Sequence, residues 1–128
     1  MKKKIINTEN APAPIGPYNQ AIRIDKMLFI SGQIPMNKSM ELIQKDLRME
    51  TKQVMLNLNA ILKEANMDFD DVVKSSIFID NMNNFEIINE EYSKYFKSGD
   101  EPARETIAVK TLPKNVRVEI SMIAYKDN

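Results

Sequence analysis

The chain has 128 residues, of which 43% are hydrophobic and 28% are charged; 18 basic and 18 acidic residues cancel to a net charge of zero. Residues 1–128 are expected to form one domain, since typical domains contain about 100–150 residues. A net charge of zero argues against a dedicated nucleic-acid binder, because basic residues that neutralise phosphates supply most of that affinity. With no apolar run near the ~18 residues that span a bilayer, and no signal peptide, we expect a cytoplasmic protein without a membrane partner.

The sequence contains neither histidine nor cysteine. Their absence removes the Ser–His and Cys–His catalytic arrangements and most transition-metal sites. No cofactor or metal is therefore expected. Any catalysis has to use carboxylates, lysine, tyrosine, hydroxyls, backbone groups and water, which suits a reaction with a low intrinsic barrier.

The first half of the chain predicts a rigid loop, two strands and one long helix. Residues 11–18 contain three prolines and a glycine, which favour an ordered, non-helical loop. Strands are predicted at 18–24 and 27–33, separated by an Asp-Lys turn. A helix is predicted over 46–65 because apolar residues recur there at steps of three, four and seven. Its apolar stripe consists of Leu47, Val54, Leu58, Ile61, Leu62 and Ala65.

The second half predicts a strand at 72–79, a helix at 84–97, and strands at 104–110 and 116–125 that flank a turn at 112–115. A capping box between Asn83 and Glu86 would begin the helix, and Gly99 follows its end. The predicted core stripe of this helix consists of Phe85, Ile88, Tyr92, Tyr95 and Phe96. The order β-β-α-β-α-β-β, with room for a short strand near Ile5, predicts an α+β fold: a single mixed β-sheet with two helices on one face. The residues of the other face are mixed rather than polar, which suggests self-association.

Two charged residues are candidates for chemistry. Arg104 follows Pro102-Ala103 at the start of a strand, and its planar guanidinium is suited to bind a carboxylate bidentately. Spacing alone favours an ordinary surface arginine there. Glu119 shares one face of its strand with Arg117 and Ser121, opposite the apolar Val118. If that face is solvated, Glu119 is an exposed carboxylate; if a partner subunit covers it, burial raises its pKa and it could deprotonate a water.

Other candidates have equally ordinary interpretations on residue type alone. Tyr18, on its rigid loop, could donate a hydrogen bond or close the edge of the core. Ser31 could serve only the turn, and Asn89 lies one step round its helix from the apolar stripe, where solvent is the default.

These residues fall within an ordered set of motifs: Ile-Gly-Pro-Tyr at 15–18, Ile-Ser-Gly-Gln-Ile-Pro at 30–35, Asn-Phe at 84–85 with Ile-Asn at 88–89, Pro-Ala-Arg at 102–104, Leu-Pro-Lys at 112–114 and Val-Glu-Ile at 118–120. From about Ile5 to Ala124, the set closely resembles the reactive intermediate deaminase (RidA-like, Rid/YjgF) family, also called the perchloric-acid-soluble protein family. Each motif alone is weak, whereas their order and spacing together are specific.

The resemblance implies a chorismate-mutase-like fold, a homotrimer and pockets at the subunit interfaces. It implies that Arg104 binds the substrate carboxylate and that Glu119 holds the hydrolytic water. Tyr18, Ser31, Phe85 and Asn89 match pocket residues, some of them supplied by a neighbouring subunit. Gly32 and Ala103 match the pocket wall.

Two positions depart from the family pattern. Thr106 stands where cysteine is common; because family sites use the backbone there, the site should tolerate the change. Glu105 stands where a small residue is common, and strand alternation directs it away from the face of Arg104.

The implied activity is hydrolysis of reactive 2-imino acids, such as 2-iminobutanoate and 2-iminopropanoate, to 2-keto acids and ammonia in metabolite damage control. Such imines are already electrophilic, so a site that only orients substrate and water is adequate. Two alternatives remain open. One is an endoribonuclease of the perchloric-acid-soluble protein type. A net charge of zero gives no electrostatic attraction for RNA, and the absence of histidine removes a usual acid/base group and metal ligand for phosphodiester cleavage, so both argue against it. The other is a non-catalytic module that binds small carboxylates, for which Glu119 would be dispensable.

Overall fold

A six-stranded sheet and two helices make up residues 2–127, the part of the chain that the computed structural model describes. The strands are β1 (Lys4–Ile6), β2 (Ala21–Ile24), β3 (Met27–Gln33), β4 (Val72–Ile79), β5 (Ala103–Ala108) and β6 (Val118–Tyr125), and the helices are α1 (Leu47–Glu64) and α2 (Phe85–Ser93). The predicted single mixed sheet with two helices is confirmed, including the short strand near Ile5.

The strands lie in the order β1-β2-β3-β6-β4-β5. Every neighbouring pair is antiparallel except β4 and β5, which run parallel. α2 lies in the crossover between those two strands, as parallel neighbours require. Strand β6, the last in sequence, lies between β3 and β4 and so joins the two halves of the chain.

The long helix α1 begins and ends as its sequence predicts. The Asp46 side chain accepts a hydrogen bond of 2.8 Å from the Met49 backbone amide, which caps the first turn. Asn66 has a φ of 59°, the left-handed conformation that stops a helix. The whole predicted apolar stripe is buried against the sheet. Buried Asn57 donates to the carbonyls of Ile34 and Met36, which attaches the loop after β3 to α1.

Helix α2 is shorter than predicted, and the predicted capping box is absent from it. A 3-10 turn, Met82–Asn84, precedes α2 and is capped by Asn81, while Asn84 makes no side-chain cap hydrogen bond. After Ser93 the chain continues in turns stabilised by bonds three residues apart, such as that from the Tyr95 amide to the Tyr92 carbonyl. These tighter bonds replace the helical ones, so the prediction of helix as far as residue 97 was wrong.

Three predicted strands also needed correction. Residues 18–20 belong to the proline-rich loop, residues 109–110 follow β5, and residues 116–117 precede β6. The turn before β6 contains a 3-10 helix, Pro113–Asn115. Because Arg117 lies outside the strand, it does not share the face of Glu119 as predicted. It reaches α1 instead, where it binds the buried Glu50 carboxylate with two hydrogen bonds of 3.0 and 2.6 Å.

The two faces of the sheet differ. One packs against the helices and buries Leu28, Ile77, Val118 and Ile120 almost completely. The other bears no helix in residues 2–127 and exposes large apolar side chains. We call it the open face; its exposed apolar side chains include Ile5, Ile24, Phe29, Ile107 and Tyr125. Within residues 2–127 no helix is long and apolar enough to cross a membrane.

Candidate active site

Four of the predicted site residues line one cleft, at the end of the open face. Tyr18, Ser31, Gly32 and Glu119 surround a cavity of about 400 Å³. The rest of its lining is apolar and consists of Ile15, Ile34 and Pro113. An apolar cavity with a few converging polar groups is the usual form of a small-molecule site.

Glu119 lies directly over Gly32. A β-carbon at position 32 would lie 1.9 Å from Glu119 Oε2 and 2.8 Å from its Cδ, so only glycine leaves room for the carboxyl group. Burial raises the pKa of Glu119, because no neighbouring cation or hydrogen-bond donor in residues 2–127 counters the loss of solvent. The cleft therefore holds a carboxyl group with a raised proton affinity, which is what a general base needs.

The two hydroxyls of the cleft have different hydrogen-bonding capacity. Ser31 Oγ donates to the Asn19 carbonyl at 2.6 Å, so its lone pairs remain to accept from a ligand. The Tyr18 hydroxyl accepts from the Ile15 amide at 3.2 Å, so its proton remains to be donated. A ligand in the cleft can thus meet one acceptor and one donor besides Glu119.

Arg104 belongs to a second group of residues, on the helix side of the sheet. Its Nη1 donates to Asn89 Oδ1 at 2.6 Å. Its guanidinium carbon lies 5.8 Å from the ring centre of Phe85 and 5.2 Å from that of Tyr92, within the range of cation–π attraction. Arg104 makes no ion pair with any carboxylate in residues 2–127 and is exposed, so most of its donors can still bind an anion.

One chain does not bring Arg104 and Glu119 together, because their side chains leave opposite faces of the sheet. On the strand between them, Arg104 is paired with Ser75 and Glu119 with Phe78. Paired residues share a face, and an odd separation of three residues along β4 places the two pairs on opposite faces. We call the cleft of Glu119 the cleft half-site and the surroundings of Arg104 the arginine half-site.

Thr106 and Glu105 divide between the same two faces. Thr106 pairs with the buried Ile77 on the face of Arg104, and its Oγ1 is the one buried side-chain polar atom in residues 2–127 without a hydrogen-bond partner. Glu105 points to the open face, as strand alternation predicted. There it accepts a short hydrogen bond from Ser76 and pairs with Lys74 at 3.1 Å. These contacts lower the pKa of Glu105.

Sequence reasoning assigned Tyr92 to the core and missed its contact with Arg104. Phe85, Asn89 and Tyr92 are spaced by four and three residues, so they share one side of α2. That spacing could have predicted that Tyr92 lies beside Phe85 and Asn89. It does not show which strand this side of the helix packs against. No cluster of three or more potential metal-binding acidic side chains is formed by residues 2–127.

Comparison with known proteins places the chain in one family. Residues 8–126 match the family described as Endoribonuclease L-PSP, which is the YjgF/RidA family. The chain is 46% identical to a RutC family protein of Pyrococcus horikoshii over 98% of this chain and 99% of that protein. It is 44% identical to the 2-iminobutanoate/2-iminopropanoate deaminase of Mus musculus over 97% of this chain and 92% of the mouse protein.

Solved structures agree with that result. The crystal structure of E. coli TdcF with bound serine superposes with a TM-score of 0.91 at 36% identity and covers 97% of this chain and 99% of that one. The chain therefore belongs to the YjgF/RidA family.

Proposed function

We propose that this protein hydrolyses 2-imino acids, such as 2-iminobutanoate and 2-iminopropanoate, to 2-keto acids and ammonia. The observation that supports this proposal most directly is that the half-sites hold complementary groups. Among residues 2–127, Arg104 has no carboxylate partner and the partly buried Glu119 has no neighbouring cation. The name of the mouse relative, 44% identical, supports the same activity.

Because the two half-sites face opposite ways, the proposal requires association of chains. The open face exposes apolar side chains such as Phe29 and Ile107, and a second copy that covered them would remove that surface from water. We propose a homotrimer in which the cleft half-site of one subunit receives the arginine half-site of its neighbour. Three equivalent sites then lie at three subunit interfaces.

In the proposed reaction, Arg104 binds the substrate carboxylate through its guanidinium fork. Glu119 takes a proton from a water, whose oxygen adds to the carbon of the protonated imine as the C=N π electrons move to nitrogen, which gives a neutral tetrahedral carbinolamine. Protonated Glu119 then gives its proton to the nitrogen. The C–N bond breaks as the Glu119 carboxylate takes the proton of the carbinolamine hydroxyl, which forms the keto acid and releases ammonia. Glu119 passes this proton to the departing ammonia and is a carboxylate again. The raised pKa of Glu119 suits these transfers, since it lies nearer to neutrality than that of an ordinary glutamate.

Cleft hydroxyls complete the proposed arrangement. Ser31 accepts a hydrogen bond from the substrate nitrogen, because its own proton already binds the Asn19 carbonyl. Tyr18 donates to a substrate oxygen. The substrate side chain lies against the apolar lining of Ile15, Ile34 and Pro113.

A coupled assay tests the proposal. An amino acid oxidase produces 2-iminobutanoate, semicarbazide traps it, and an active deaminase lowers the yield of semicarbazone as keto acid is released. We expect the protein to lower this yield, and Arg104→Ala and Glu119→Gln to lose the effect. Matched controls are Arg48→Ala, which removes an exposed arginine of α1, and Glu64→Gln, which changes an exposed carboxylate. A wild-type protein without any effect on the yield would refute the proposal.

RNA cleavage is a second candidate, favoured by the family's description as an endoribonuclease. Incubation of the same purified variants with single-stranded RNA distinguishes the two activities. RNA cleavage that survives Arg104→Ala, in a preparation that has lost imine hydrolysis, would establish it as a separate activity.

A carboxylate-binding protein without catalysis would instead bind 2-oxobutanoate through Arg104, and its binding would not change with Glu119→Gln.

A further inference from the structure

Arg104 is held by one side of α2. Phe85 and Tyr92 place their rings beside its guanidinium, and Asn89 accepts a hydrogen bond from its Nη1. An unrestrained arginine side chain samples many rotamers, and ordering it on binding opposes association. A guanidinium that is already in place avoids this cost.

A hydrogen bond to the sheet fixes the Tyr92 ring in turn. Its hydroxyl donates to Ser75 Oγ at 2.8 Å, and both residues are buried, with 3% and 0% of their surfaces exposed. Burial raises the pKa of Tyr92, so the hydroxyl stays protonated and remains a donor at neutral pH. Ser75 is also the residue of β4 that pairs with Arg104. One hydrogen bond therefore connects the strand beside the arginine to the ring that supports its charged end.

We propose that Tyr92, anchored by Ser75, is a positioning residue for Arg104. The ring holds the guanidinium so that Nη1 faces Asn89 while the remaining donors face the substrate carboxylate. Tyr92 does not contact the substrate and acts only through Arg104. This inference rests on the proposed function, in which Arg104 binds a carboxylate.

The arrangement predicts an effect on carboxylate binding rather than on the chemical step. Tyr92→Leu removes the ring, and we expect the KM for 2-iminobutanoate and the inhibition constant of 2-oxobutanoate each to rise about tenfold, the scale of a partly desolvated cation–π contact. kcat should change much less. Tyr92→Phe keeps the ring and should restore most of the binding. Ser75→Ala removes the same hydrogen bond and should match Tyr92→Phe.

Tyr95→Leu is the matched control. Tyr95 lies in the turns that follow α2. Its ring centre is 5.4 Å from that of Phe69 and its hydroxyl donates to Glu91, and it makes neither a cation–π contact nor a hydrogen bond with Arg104. Tyr95→Leu should lower the thermal midpoint, by less than Tyr92→Leu because Tyr95 is only partly buried, and should leave the inhibition constant of 2-oxobutanoate unchanged. A loss of packing alone would raise the inhibition constant in both variants, in proportion to their losses of thermal midpoint.

The experiment is a double-mutant cycle on 2-oxobutanoate binding, measured by calorimetry with wild type, Tyr92→Leu, Arg104→Ala and the double variant. We expect Tyr92→Leu to weaken binding only while Arg104 is present. An equal loss in the Arg104→Ala background, or equal losses for Tyr92→Leu and Tyr95→Leu, would overturn the inference. If Tyr92→Leu does not fold, Tyr92→Phe and Ser75→Ala replace it in the double-mutant cycle, and we expect each to weaken 2-oxobutanoate binding by less. Unchanged binding after Arg104→Ala would refute the proposed function instead, so the two failures are distinguishable.

Discussion

At the residue scale, the contact between Gly32 and Glu119 determines where the proposed base can lie. The atoms closest to a β-carbon at position 32 belong to the flexible Glu119 side chain rather than to backbone. A larger residue therefore displaces the carboxyl group and leaves the fold intact. The role of Gly32 was predicted as a contribution to the pocket wall. Its steric relation to Glu119 could not be predicted, because the two residues lie far apart in sequence and meet only through the β3–β6 pairing.

We expect Gly32→Ala to lower kcat for imine hydrolysis about 100-fold, because a displacement of about 1 Å in a reacting group has an effect of that size. Circular dichroism and the thermal midpoint should stay close to wild type. Gly16→Ala is the control, since its β-carbon would find its nearest neighbour at 3.4 Å, an ordinary contact. A fully active Gly32→Ala protein would show that the position of Glu119 is unimportant.

The raised pKa of Glu119 also predicts a dependence of stability on pH. The folded protein binds this proton more tightly than the unfolded chain, so stability is favoured below the ordinary value of 4.5 and declines as pH rises through the raised value. Glu119→Gln removes this titration. Urea unfolding at a fixed protein concentration measures the free energy of unfolding of the variant and of the wild type. The difference in favour of the variant should grow as pH rises above 4.5 and become constant once pH exceeds the raised pKa of Glu119. A difference that does not vary with pH would contradict the assignment, and Glu64→Gln serves as control.

At the scale of elements, the sequence predicted α1, β3 and β4 closely because each has a clear apolar period and distinct ends. It overextended α2, since the turns after Ser93 continue the apolar pattern of Tyr95 and Phe96 without helical hydrogen bonds. It also placed Arg117 within a strand. Only the packed structure shows that α1 presents a buried carboxylate, Glu50, close enough to draw that arginine away from the sheet.

We expect Arg117→Ala to lower the free energy of unfolding by about 2 kcal/mol, less than the ~3–5 kcal/mol of a fully buried pair, because the Arg117 side chain is 40% exposed. The loss leaves Glu50, 4% exposed, without its cation. Urea denaturation measures the change. Arg48→Ala, which removes an exposed ion pair with Glu90, should cost less than about 1 kcal/mol. Equal losses of unfolding free energy in the two variants would show that the pair of Arg117 with buried Glu50 stabilises the fold no more than an exposed ion pair does.

At the scale of the whole molecule, the sequence predicted the polar residues of the cleft half-site and, in the arginine half-site, Arg104 with Phe85 and Asn89. It predicted neither the contact of Tyr92 with Arg104 nor the separation of the two half-sites. Alternation along one strand shows which neighbours share a face; it does not show how β5 and β6 relate across β4. That relation depends on strand order and register. The resemblance to the deaminase family implied pockets between subunits, and the opposite orientations of Arg104 and Glu119 give a physical reason why the proposed chemistry needs more than one chain.

The central claim is that Arg104 of one subunit and Glu119 of another act on the same substrate. Arg104→Ala and Glu119→Gln proteins, each inactive alone, are mixed in equal amounts under denaturing conditions and refolded together, and mass spectrometry verifies the mixed trimers. Random assembly of a cyclic trimer should restore about a quarter of the wild-type sites, because each needs one intact residue from each of two neighbours. Imine hydrolysis near that fraction is the predicted result. Verified mixed trimers without activity would contradict the account.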